Sequence, residues 1–213
     1  MARAARAVAS LAATELLPDL LAAFDRLLDS PAKADEGCLA KVALVEAMDA
    51  MALADRAPFL RGIAAEQMEP VWGGAEDTAA PLRVQCAFAL ARLGGADAML
   101  AIAGLLTDAT SQARVGAVKA VAHRGGLEAE LLLRMKAGLG DEELDVTAEC
   151  LTGLMAVEPE RSLEFVRERL RAPDEALAEA AALALGESRE PNALAALCAH
   201  RDHTILSSDM EDV

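Results

Sequence analysis

Apolar and small residues recur along the chain at helical spacing, and the pattern itself repeats. The stretches LRVQCAFALARLGG (82–95), ARVGAVKAVAHRGG (113–126), VTAECLTGLMAVEP (146–159) and LAEAAALALGESRE (177–190) superpose, their starts 31, 33 and 31 residues apart. Each places a small residue at one offset (Cys86, Ala117, Cys150, Ala181) and a second three positions later (Ala89, Ala120, Gly153, Ala184). An aliphatic follows at once (Leu90, Val121, Leu154, Leu185). Three-residue spacing puts both small residues on one helix face, where a neighbouring helix can approach closely. A period near 32 with this patterning predicts stacked helix pairs sharing one continuous core.

Punctuation supports the reading. Pro18, Pro58, Pro159 and Pro191 stand where the second helix of a pair would open, and a missing N–H costs nothing there. Where that proline is absent, Gly94-Gly95 and Gly125-Gly126 fill the turn, as expected if the preceding helix ends left-handed. Extending outward gives six antiparallel pairs: Ala2–Ala13 with Leu16–Asp29, Cys38–Leu53 with Ala57–Gln67, and Ala80–Leu93 with Ala96–Thr107. Gln112–Arg124 with Leu127–Leu139, Glu143–Ala156 with Glu160–Arg171, and Asp174–Glu187 with Pro191–Ala199 complete the set. The predicted fold is all-α without a sheet, a right-handed α-solenoid over 1–199 with an insertion at 68–79 and a polar tail over 200–213.

The residues of 82–95, an apolar residue and Arg, then Ala, then Ala-Leu and a Gly turn, resemble the HEAT repeat in the short form also seen in bilin-lyase-like HEAT proteins. The resemblance implies an armadillo-type stack. Arg83 and Arg114 stand at its basic position, with Lys41 in the same place of the second pair, and such residues bond an Asp of the neighbouring repeat. Asp108 and Asp141 are the expected rungs. Thr147 and Ala178 interrupt the ladder. HEAT arrays serve many roles, so the resemblance speaks to fold rather than function.

Composition narrows the function. Hydrophobic residues make up 54% but aromatics only 2%, so the apolar share is Ala and Leu, which favour helix over strand. The net charge of −15 is uneven: 141–179 holds twelve acids against four bases. An acidic body repels phosphate backbones, which argues against nucleic acid. The same field keeps an Ala-rich protein soluble and could steer a basic protein partner. No apolar run reaches membrane-spanning length. The opening MARAARAVASLAATELL is read as the first helix rather than a leader, and a cytoplasmic location is expected.

Candidate chemistry is sparse. Cys38, Cys86, Cys150 and Cys198 contain no C-x-x-C pair, and Cys86 and Cys150 read as small hydrophobes at the repeat's tight position. Cys198, His200, Asp202 and His203 cluster near the C-terminus without a second half-site for a metal. No nucleophile–base pair or phosphate loop is present, so neither catalysis nor a cofactor is expected. A HEAT di-iron hydroxylase needs repeated His-Glu pairs, and a HEAT-like DNA glycosylase needs a basic, aromatic groove; neither pattern occurs.

The insertion stands out, with the sole Trp in Gln67-Met68-Glu69-Pro70-Val71-Trp72-Gly73-Gly74. Two readings make opposite demands. Val71 and Trp72 either plug the groove between repeats or anchor a partner, and a divided role has part of the indole packed while Gln67 and Glu69 present polar groups beside it. The expected function is a non-enzymatic scaffold that binds a protein or peptide, a basic one being suited to its charge. It would use the Trp72 loop and exposed residues of the second helices: Asp25, Arg26, Arg61, Glu66, Arg134, Lys136, Arg167 and Glu168. Alternatives are a lyase-type accessory enzyme handling a tetrapyrrole, for which a deep apolar groove with a buried acid would speak, or a structural subunit of a larger assembly.

Overall fold

The computed structural model describes residues 1–30 and 32–211, with 202–211 by backbone alone. It is all-helical apart from one small hairpin. Among the described residues the α-helices are α1 (Ala2–Ser10), α2 (Leu17–Leu28), α3 (Leu39–Ala50), α4 (Ala57–Ile63), α5 (Ala80–Leu93), α6 (Ala96–Leu105), α7 (Ser111–Arg124), α8 (Gly126–Leu139), α9 (Leu144–Val157), α10 (Pro159–Arg169), α11 (Glu175–Ser188) and α12 (Pro191–Glu211). Each expected helix has its counterpart. The largest boundary difference is the last, which runs to Glu211 rather than ending at Ala199.

The chain forms two compact units, Met1–Arg124 and Gly125–Val213. In the first, α1, α3, α5 and α7 pack in succession, while α2, α4 and α6 form a second row against them. In the second, α9 packs on α8, α10 and α11, and α12 lies against α10 and α11. The repeat register explains the cores of both. Cys86, Ala117, Cys150 and Ala181 are fully buried, as are Ala89 and Ala120, with Gly153 and Ala184 also buried where helices meet. Larger side chains at those points would force the rows apart. The glycine turns take positive φ, Gly94 and Gly95 at +69° and +99°, but with extended ψ rather than the left-handed helical end anticipated.

The expectation of no sheet is corrected. Met68–Val71 (β1) and Gly74–Asp77 (β2) form an antiparallel ribbon with Val71 opposite Gly74 and Met68 opposite Asp77. Its composition, MEPV and GAED, is poor in strand-forming residues, so propensity gives no hint of it. The turn makes it possible. Trp72 and Gly73 are the two connecting residues, and Gly73 takes φ +91°, a conformation costly for any residue with a Cβ.

Candidate functional site

The hairpin is held at its base by a polar network drawn from both flanking repeats. From the preceding repeat, the Asp35 carboxylate accepts the amides of Ala40 (2.7 Å) and Lys41 (2.9 Å), capping the first turn of α3. Lys41 is buried, donates to Gln67 Oε1 at 2.5 Å, and lies 3.6 Å from the Asp35 carboxylate. Gln67 Nε2 in turn donates to the Asp35 carbonyl (2.8 Å) and to Glu69 Oε1 (2.6 Å). Glu69 Oε1 also receives the Gly37 amide (2.7 Å) and the Thr78 hydroxyl (2.8 Å).

From the following repeat, Asp77 accepts the amides of Gln67 and Ala79, and its other oxygen meets Arg83 Nη1 at 2.6 Å. Arg83, buried on α5, also donates to the Ala65 carbonyl (2.9 Å) and to Asp108 (2.9 Å). The anticipated rung between Arg83 and Asp108 therefore exists, and Asp77 makes it a bridge between two carboxylates. Asp141, the other expected rung, pairs with Lys136 at 2.7 Å. Arg114 donates to the carbonyls of Asp108 and Ala109.

These contacts leave an electrostatic signature. Gln67, the Gly37 amide and Thr78 hold the Glu69 carboxyl below its usual range. Partial burial pushes Asp77 up, but the amide donors of Gln67 and Ala79 together with Arg83 outweigh it, and the net shift is downward. A depressed carboxyl stabilises the fold fully above its unfolded pKa and loses that contribution as pH falls through the folded value. Thermal stability should therefore hold near neutrality and decline below about pH 4. In Asp77→Asn the melting temperature should be lower at pH 7 but fall less steeply on acidification. An unchanged slope in circular-dichroism melts would remove Asp77 from the network.

Above this base the tip projects into solvent. Trp72 is fully exposed at 103%, Val71 is 46% and Met68 57% exposed, and a Cβ built on Gly73 or Gly74 would meet no atom within 4 Å. Both the plugged-groove reading and the divided role are thereby corrected: the two-residue turn points the indole away from the helices. Gln67 is corrected too. Its amide is spent inside the base and offers nothing to a partner, and Glu69 is half-buried with one oxygen taken by three donors.

The remaining candidates are scattered. Arg61 is exposed and paired with Asp25 and Asp29, and Glu66 and Arg26 are exposed, while Asp25 is half-buried. In the second unit Arg134 is engaged by Glu130 at 3.0 Å and by the Arg161 carbonyl, and Lys136 by Asp141, so neither is offered outward. Arg161, itself exposed, also binds Glu130 at 2.6 Å, so two arginines close over one buried carboxylate that the sequence does not single out. Arg167 is exposed and paired with Glu164, and Glu168 is exposed.

A groove of about 910 Å³ lies between α10 and α12, floored by Leu163, Leu170 and Ala196 and rimmed by Arg167, Arg171 and His200; no carboxylate is among its described lining residues. Cys38, Cys86 and Cys150 are buried free thiols, and burial raises Cys86 and pushes Cys150 up to about 12, as expected of core fillers. His123 packs edge-on to Phe88, ring centroids 6.0 Å apart. No group of three His, Cys, Asp or Glu among the described residues could hold a metal; the side chains of Asp202 and His203 lie outside them. No described helix is long and apolar enough to cross a membrane. No protein-family profile and no curated protein matches the chain.

Proposed function

We propose that this chain is a non-enzymatic α-solenoid of HEAT-like helix pairs that binds a protein or peptide partner, with Trp72 as the anchor. The carrying observation is the pairing of a wholly exposed indole with a rigidly tethered base. Leaving a Trp in water forgoes the burial that would stabilise the fold, whereas Trp is the residue most enriched among binding hot spots. A hairpin tethered at its base before contact also loses less backbone freedom on association. Exposed Glu66 and Glu76 near the ribbon favour a basic partner in a cytoplasmic setting. The tetrapyrrole-lyase reading draws no support from the described lining of the α10–α12 groove, which supplies no acid.

The test compares the full chain with Trp72→Ala as immobilised bait, with captured proteins quantified by mass spectrometry. A specific partner should be lost by about 30-fold or more in the variant, equivalent to about 2 kcal/mol. The variant's melting temperature should match the parent's. Equal capture by both baits would refute the proposal.

A further inference from the structure

An apolar ridge runs the length of the outward face of α8. Leu127, Leu131, Met135 and Leu139 are 63%, 59%, 55% and 78% exposed, while Ala129, Glu130, Leu133 and Ala137 on the opposite side are buried. At 3.6 residues per turn the four exposed positions form one continuous ridge of the i, i+4 kind. A solvent-facing helix ordinarily carries charge here. Its basic residues Arg134 and Lys136 instead flank the ridge and are held by Glu130 and Asp141. A row of four large apolar side chains is a docking surface rather than scattered exposure.

We propose that the occupant is α8 of a second copy of this chain, paired about a two-fold axis passing near Leu131 and Met135. Three observations favour a second copy. Ridges of the i, i+4 kind mesh with others of the same kind, which makes the surface self-complementary. The helix carries Glu128 and Glu130 against Arg134 and Lys136, so it is neutral in a chain of net charge −15 and offers a face where two acidic bodies can meet. Glu128, an exposed charge beside the ridge, lies at its N-terminal end. The axis places its two copies at opposite ends of the interface, where they do not repel each other. Two such helices bury on the order of 1,000 Å², the low end for a specific interface, so the dimer should be concentration-dependent.

The proposal is independent of the Trp72 reading, and sedimentation velocity on the full chain from micromolar to near-millimolar concentration tests it. Wild type should pass from monomer to dimer. Leu131→Glu with Met135→Glu should raise the dimer Kd about 100-fold or more with an unchanged melting temperature, since both sites are exposed in the monomer. Leu100→Glu, at a site more exposed still but on α6, and Trp72→Ala should leave the dimer intact. In a Cys198→Ser background, mixing Leu131→Cys with Met135→Cys chains under mild oxidation should give the mixed disulfide as the main cross-linked product. A wild type that remains monomeric throughout, or a dimer that survives the double substitution, overturns the proposal.

Discussion

Arg83→Ala should destabilise the protein by about 3–5 kcal/mol, the range for removing one partner of a buried ion pair. Its guanidinium is 5% exposed and neutralises two carboxylates at once, Asp77 at 2.6 Å and Asp108 at 2.9 Å, themselves only 15% and 14% exposed. Truncation leaves both acids facing each other without a cation and frees the Ala65 carbonyl. Arg83→Lys should recover only part of the loss, because a compact three-donor ammonium lacks the planar guanidinium fork that reaches Asp77, Asp108 and the Ala65 carbonyl together. Urea unfolding followed by circular dichroism gives the number. The cost should shrink clearly in an Asp77→Asn, Asp108→Asn background, where fewer charges are stranded. A loss below about 1 kcal/mol in the single variant would show that the bridge is not structural.

Gly62→Ala should cost about 1–3 kcal/mol by overpacking. Gly62 lies on α4 where it faces α2 and α5, and an added Cβ would sit 2.5 Å from Cys86 Sγ and 3.1 Å from Phe24 Cζ. Neither neighbour has room to move, since both are fully buried. Cys86→Ala removes the sulfur and should return most of the lost stability to the double variant. Purely additive losses would mean that the clash is not the cause.

The same contact shows why so much of the fold was legible in the sequence. Cys86 and its equivalents must be small because a neighbouring helix leaves space only for a side chain of that size. The constraint recurs every thirty-odd residues, and so becomes a visible pattern. Arg83 was legible for a related reason, as a repeated position with a fixed task. The hairpin was not, because Met-Glu-Pro-Val and Gly-Ala-Glu-Asp oppose strand propensity, and what forms them is a turn at Gly73 and distant partners such as Lys41 and Arg83. Gln67 misled for the same reason: a polar residue beside an exposed loop looks available until its buried partners are known. On α8 the charged residues drew attention, yet Arg134 and Lys136 are occupied internally, while Met135 between them and Leu127, Leu131 and Leu139 face outward. Periodicity reveals which face is apolar, but not whether a neighbour covers it.

The division of labour within the hairpin has an evolutionary consequence. Its base is bound by Lys41, Gln67, Glu69, Asp77 and Arg83, whereas the tip from Val71 to Ala75 is exposed throughout. Changes at the tip would therefore be nearly free of folding constraint, provided that the glycine turn is kept. The base would serve as a constant mount on which different recognition sequences could be exchanged. Descendants of such a chain could change partners by rewriting the tip residues around Gly73 while leaving every helix contact untouched.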